Sequence, residues 1–223
     1  MIERLEALIF DVDGTLAETE EAHRAAFNQA FGEAGLDWRW DQGLYGELLK
    51  VTGGKERIAA FSGRPAQDPF VRQLHGRKTE IYAALMKPGT IDFRPGIVEL
   101  IAEARRRGVA LAIATTTSRP NVDALIAAVL GAEALGWFVS IACGDRVPAK
   151  KPAPDVYHLA LSELGLPASR AIAVEDSWNG VRAARGAELT VIATPSLYSA
   201  GDDFSEATLV TSPDRIAAAL GWS

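Results

Sequence analysis

The sequence is poor in cysteine, with Cys143 alone among 223 residues. A lone cysteine forms no internal disulfide, which fits a reducing, cytoplasmic setting. Between Ile141-Ala142 and Gly144 it reads as a small buried hydrophobe rather than a reactive thiol. Long apolar runs are lacking as well. None approaches the ~18 residues of a membrane span, and the opening Met1-Ile2-Glu3-Arg4-Leu5-Glu6 has no basic segment leading into an apolar one. No membrane association and no secretory leader are expected. Clustered positive charge is equally scarce. The formal charge is −6 and the longest basic run is Arg105-Arg106-Arg107, which suits the last turn of a helix ending before Gly108. Nucleic acid is therefore not expected as a partner.

What is present is an ordinary globular composition, 48% apolar and 23% charged, with one abrupt transition. Ala7-Leu8-Ile9-Phe10 is apolar and of strand length, and it ends in Asp11-Val12-Asp13-Gly14-Thr15. Side chains alternate along extended backbone, so Asp11 and Asp13 can face the same way at the strand end. Adjacent carboxylates repel, and a cation or a shared proton relieves them. An ordinary Asp-Gly turn is the plain alternative. A calcium loop would need Gly and Glu where Leu16 and Ala22 stand, and fails. No Gly-x-Gly-x-x-Gly follows the strand, so a dinucleotide site is not indicated.

The remainder has two textures. From Glu18 to about Pro88 the chain reads as helical, with one stripe at Ala22, Ala25, Ala26, Phe27 and Ala30 and a second beginning at Ile58, Ala59 and Phe61. From Phe93 onward strands and helices alternate. Strands are expected at 109–114, 138–142, 171–174 and 190–192, and helices at 96–107, 121–130, 155–164, 179–187 and 213–220. Near-continuous apolar strands separated by amphipathic helices predict an α/β fold: a Rossmann-like, doubly wound parallel sheet with an inserted all-helical cap. The core is expected over 1–17 and 89–223, the cap over 18–88.

Ligands of such sheets bind beyond the carboxyl ends of the strands. The polar residues that follow the strands are Asp11 and Asp13, Thr115-Thr116-Thr117-Ser118, Gly144-Asp145 and Glu175-Asp176, with Lys151 in a proline-flanked loop. A phosphoryl group together with Mg²⁺ is the ligand that uses them all. Asp155 is expected to cap its helix, and Asp145 is either a turn residue or a support for Lys151.

These motifs, in order, resemble the haloacid dehalogenase superfamily, and the match runs the length of the chain. The resemblance implies that Asp11 attacks phosphorus to form an aspartyl-phosphate, while Asp13 protonates the leaving oxygen and later deprotonates water. It also implies Mg²⁺ held by Asp11, the Asp13 carbonyl and Asp176, with Glu175 beside them, and phosphoryl oxygens held by Thr115, Thr116 and Lys151. A dehalogenase needs only the first carboxylate, because halide leaves without a proton, so Asp13 favours phosphoryl chemistry.

Beta-phosphoglucomutase relatives share these motifs, and the cap must separate phosphatase from mutase. Val51-Thr52-Gly53-Gly54-Lys55-Glu56-Arg57-Ile58 and His75-Gly76-Arg77-Lys78-Thr79 resemble the CbbY-type sugar-bisphosphate phosphatase branch, which implies xylulose-1,5-bisphosphate as substrate. Gly53-Gly54-Lys55 does not complete a Walker loop, since the required upstream glycine is missing. A glycine pair before a helix lets amides approach an anion. Lys55, then Arg57 or Lys78, are the expected contacts for a distal phosphate. Glu18 is expected to reach a substrate hydroxyl, and Tyr45 either touches the sugar or packs. His23, one turn beyond Thr19, is left outside the catalytic set. Trp38 and Trp40 are expected to cover the cap's core, and Trp178 to line the entrance. The expected enzyme is a Mg²⁺-dependent monomer acting on a small phosphorylated sugar. A phosphosugar mutase and a non-catalytic metabolite-binding regulator are the alternatives.

Overall fold

Four consecutive apolar residues, Ala7–Phe10, form strand β1, and all four are buried. Burial on both faces calls for a central strand in a sheet covered on each side. The computed structural model, which describes residues 5–222, shows this arrangement. Residues 1–4 and 223, which include part of the run read for a leader and the ends of the expected core, lie outside the described residues.

β1 pairs in parallel with β2 (Ala110–Ala114) on one side and β4 (Ala171–Glu175) on the other. β3 (Phe138–Ala142), β5 (Thr190–Ala193) and β6 (Leu209–Val210) complete a parallel sheet of order β3-β2-β1-β4-β5-β6. That order reverses at β1, and open α/β sheets bind ligands at such a reversal. Register fixes the level of the site, because Phe10 lies opposite both Ile113 and Val174. The residues just beyond, Asp11, Thr115 and Glu175, therefore emerge at about one height.

The two faces differ in bulk. Leu8, Phe10, Leu111, Ile113, Ile172 and Val174 pack under α5 (Ile97–Arg106) and α6 (Arg119–Leu130). On the other face the sheet offers Ala7, Ala112, Ala114, Ala171, Ala173 and Ala193, against which α7 (Asp155–Leu164) and α8 (Trp178–Gly186) lie. Small side chains let helices approach the sheet closely. α9 (Ile216–Ala219) follows a single 3-10 turn at Pro213–Arg215, so the expected helix over 213–220 is split. β6 was not legible: it has two residues, both exposed.

Between β1 and β2 the chain forms a helical cap of α1 (Glu20–Glu33), α2 (Gln42–Leu48), α3 (Gly54–Ser62) and α4 (Pro69–Leu85). Its core is aromatic. Phe27 and Phe31 meet Trp40 at ring distances of 4.7 and 4.8 Å, and Trp38 meets Phe61 edge-on at 5.3 Å. Both tryptophans pack as the sequence predicts. Among the described residues no helix is long and apolar enough to cross a membrane.

Candidate active site

The turn after β1 is shaped by Gly14 at φ +83°, a conformation costly for residues with a Cβ. Close packing demands glycine there too, since a Cβ would stand 2.2 Å from the Asp176 carboxylate. The turn, the strand ends and the cap enclose a cleft of about 1390 Å³ lined by Asp11, Asp13, Thr115, Thr116, Lys151 and Asp176. Lys55, Arg57, Lys78 and Trp178 also line it.

At its floor Lys151 donates to Asp11 Oδ1 at 2.7 Å and to Glu175 Oε1 at 2.6 Å. Tyr157, from α7, donates to the same Glu175 oxygen. Glu175 is fully buried and Lys151 nearly so, and a buried charge is tolerated only when paired in this way. Burial works against the charge of Lys151, but Asp11 and Glu175 outweigh it and keep the ammonium protonated. Asp145 is exposed, and the partners of Lys151 are these two acids.

One carboxylate oxygen each from Asp11, Glu175 and Asp176 lies within 4.8 Å of the others. Burial pushes Asp11 up to about 8, with Glu175 and Asp13 adding to the rise and Lys151 opposing it. Asp176 is raised well above the carboxylate range by burial and by Asp11 and Glu175. Such acids want a cation. The donors are all oxygen, which suits a hard divalent ion, and its charge would return both groups to carboxylates. Ser196 donates to Asp176 Oδ2 at 2.6 Å and Ser199 to the Asp176 backbone carbonyl at 2.6 Å, holding the residue by side chain and backbone.

Asp13 stands apart from this cluster in its partners. Thr19 donates to its Oδ1 at 2.6 Å, and His23 Nε2 lies 2.9 Å from the same atom. Lys78 Nζ lies 2.6 Å from His23 Nδ1. Donation from Lys78 to His23 and from His23 to Asp13 satisfies all three groups, and Tyr82 stacks on the imidazole at 4.0 Å. Burial opposes ionisation of Asp13, yet His23, Thr19 and Lys78 hold it down at about 2. Burial, reinforced by Arg57 and resisted by Asp13, brings Lys78 down to about 7. His23 is the contact that sequence reasoning left out; its position one turn beyond Thr19 was the available signal.

Thr115 is buried, and its hydroxyl accepts from the Thr117 N–H at 3.1 Å. Thr116 and Gly144 are in close contact, since a Cβ on Gly144 would lie 2.6 Å from the Thr116 carbonyl. Across the cleft, Lys55 and Lys150 each lie 3.9 Å from Glu56. His75 is held down at about 3 by burial first, then by Lys78, Lys55 and Lys150. A neutral imidazole thus sits beside Lys55 and Lys150, which share the Glu56 carboxylate.

Several expectations are corrected. Glu18 does not reach into the cleft: its exposed carboxylate accepts from the Leu197 N–H at 3.3 Å and lies 3.4 Å from Arg94. Its side chain turns outward toward Arg94. Tyr45 packs rather than touching the cleft, fully buried with its hydroxyl donating to Glu20 at 2.6 Å. Arg57 does line the cleft, but its guanidinium donates to the Leu48 carbonyl and the Tyr45 hydroxyl, both at 3.1 Å. Its donors are largely committed to the cap. Asp155 is not the cap residue of α7; Pro154 holds that position and Asp155 accepts from the Ala149 N–H. Cys143 is buried and its thiol is pushed up to about 12, chiefly by burial.

Comparison with known proteins agrees with this geometry. Residues 5–188 match the family model described as haloacid dehalogenase-like hydrolase. The chain is 55% identical over 207 residues to the protein CbbY of Cereibacter sphaeroides, covering 91% of this chain and 90% of that one. It superposes with a TM-score of 0.90 and 52% identity on a crystal structure of CbbY from Rhodobacter sphaeroides, an Asp-to-Asn variant in complex with xylulose-1,5-bisphosphate. That match covers 94% of this chain and 95% of the other. Beta-phosphoglucomutase from Clostridium difficile shares the fold, with a TM-score of 0.78 at 20% identity over 95% of this chain and 93% of that one. The chain therefore belongs to the haloacid dehalogenase-like hydrolases and is a phosphatase-type enzyme of that family.

Proposed function

We propose that the chain is a Mg²⁺-dependent phosphatase of sugar bisphosphates whose substrate is xylulose-1,5-bisphosphate. The observation that carries this reading is the polarity of the cleft. A buried acid cluster with one lysine lies at its floor, and Lys55 and His75 of the cap, with Lys150 of the core, also line it. A substrate anionic at both ends fits such a cleft. The complex of the similar CbbY with xylulose-1,5-bisphosphate supports the same choice.

Asp11, Asp176 and Glu175 would hold Mg²⁺, joined by the Asp13 carbonyl. The ion would supply positive charge against both the carboxylates and the phosphoryl oxygens. Asp11 attacks phosphorus, a carboxylate O–P bond forms, and the sugar O–P bond breaks. For this half Asp13 must enter protonated, against the pull of His23, Thr19 and Lys78 in the substrate-free site, and it becomes a carboxylate as its proton passes to the departing sugar oxygen. In the second half Asp13 takes a proton from water, the water oxygen bonds to phosphorus, and phosphate leaves Asp11. The carboxylate form of Asp13 that His23 and Thr19 favour is the form this second step needs. Lys151, Thr115 and the Thr116 N–H steady the charge spread over the phosphoryl oxygens, so catalysis comes mainly from position and field.

Lys55 takes first place for the distal phosphate, because the Gly53-Gly54 turn presents it and its partner Glu56 is 3.9 Å away. Lys78 and Arg57 stand behind it. The cap is assigned to residues 18–88 and the core to 1–17 and 89–223. Incubation with Mg²⁺ and a panel of sugar phosphates tests the reading. Free phosphate from the pentulose bisphosphate is expected. Isomerised hexose phosphate would instead make the protein a mutase, and tight binding without turnover would make it a regulator.

A further inference from the structure

Arg94 lies in the segment that returns the chain from the cap to α5, and its side chain is only 12% exposed. Nη1 donates to the Gly14 carbonyl at 2.5 Å and to the Thr194 carbonyl at 2.7 Å, with Thr194 Oγ1 at 3.2 Å. Nη2 donates to the Pro195 carbonyl at 2.8 Å. Nε lies 3.4 Å from the Glu18 carboxylate, and the Arg94 N–H donates to the Leu16 carbonyl at 2.7 Å. One guanidinium thus joins the turn after β1, the loop after β5 and both segments that connect cap and core.

The segments it joins carry the acid cluster. Gly14 follows Asp11 by three residues and touches both Asp176 and Ser196: a Cβ there would meet their oxygens at 2.2 and 2.9 Å. Thr194 donates its N–H to the Glu175 carbonyl at 2.6 Å, and Ser196 donates to the Asp176 carboxylate. The distance between the Asp11 turn and the Ser196 loop therefore decides where the Asp176 carboxylate points relative to Asp11. A planar fork of donors can hold three carbonyls at once, which a lysine cannot.

We propose that Arg94 is a positioning residue for the divalent cation: it clamps the Gly14 turn to the Thr194–Ser196 loop and so aims Asp176 at Asp11. This rests on the reading of the acid cluster as a cation site. Groups that orient metal ligands typically contribute 10–100-fold to metal affinity.

The test is direct binding of Mn²⁺, which takes the same oxygen donors, followed by electron paramagnetic resonance without substrate. Wild type, Arg94→Lys, Arg94→Gln and Ser196→Ala are compared. One saturable site is expected in wild type, weakened about tenfold in each Arg94 variant and to a similar degree in Ser196→Ala. At saturating Mn²⁺ the substrate KM should move less than about twofold, because Arg94 does not face the substrate. A purely structural role would lower Tm and leave the affinity of folded protein unchanged, and that result overturns the proposal. If neither Arg94 variant folds, Ser196→Ala decides, since it removes the bond to Asp176 at the end of the same arm, together with the 2.9 Å contact to the Ser199 hydroxyl; wild-type affinity there also overturns it. Absence of saturable Mn²⁺ binding in wild type would instead sink the cation reading, and this inference with it.

Discussion

The two ends of the cleft hold their charges differently. At the floor Asp11 and Glu175 are buried at strand ends, and buried Lys151, from the loop before α7, pairs with both at 2.6–2.7 Å. On the cap side Lys55 is a third exposed, sits on a helix, and has its acid partner 3.9 Å away. Strands locked in register fix the first set to the geometry that bond-making needs. The looser set can rearrange around whatever the substrate carries beyond its reacting phosphate. Under the proposed function, chemistry resides in the rigid half and selection in the adaptable half.

The contrast is broken most severely by Asp11→Asn. Turnover should fall by about 10⁴-fold or more, since a carboxamide cannot form the acyl-phosphate. Far-UV circular dichroism and Tm should stay near wild type, because burial already favours a neutral group there. Substantial residual turnover would remove Asp11 as nucleophile. Lys151→Ala comes next. Loss of a preorganised cation at the phosphoryl oxygens should lower kcat about 10²–10³-fold, and Tm should drop because Glu175 is left buried with Tyr157 and one N–H as partners. A kcat within a few-fold of wild type would show that Lys151 serves the fold alone.

Lys55→Ala probes the adaptable half. KM for a bisphosphate should rise about tenfold, equivalent to about 1.4 kcal/mol, while KM for the matching monophosphate should move less than about twofold. An equal change for both would place the distal phosphate elsewhere. The smallest effect concerns Lys78, which is read by stability rather than rate. Its folded pKa, about 7, lies below the ordinary lysine value of 10.5. Between those values the unfolded chain binds the proton that the folded one lacks, so stability should rise with pH through this window. Lys78→Met should flatten the rise, as followed by urea unfolding at several pH values. An unchanged slope would mean that Lys78 stays charged in the fold.

The rigid half was also the half that the sequence revealed. Asp11, Thr115 and Glu175-Asp176 were legible because each follows an apolar run, and parallel strands in register carry such residues to one rim, while Lys151 was marked by its proline-flanked loop. Strand boundaries at 138–142 and the helix at 155–164 were legible for the same reason of clean periodicity. The cap yielded less. Glu18 was misjudged and Tyr45 left open between sugar and packing, because helix rotation and long, flexible side chains set their direction, and neither is written in spacing. His23 depends on how α1 meets the turn after β1. Arg94, Ser196 and Tyr157 were missed because their contacts join segments far apart in the chain, and no local pattern marks a side chain that serves a distant carbonyl or carboxylate.

The central claim is that the acid cluster at the rim of the sheet exists to pass a phosphoryl group through Asp11. The most direct measurement is acid quenching during turnover of xylulose-1,5-bisphosphate with Mg²⁺, followed by peptide mass spectrometry. A phosphoryl group on Asp11, absent when EDTA replaces Mg²⁺, is the predicted result. Phosphate release at full rate with Asp11 never modified, or with the label on another residue, would contradict the account.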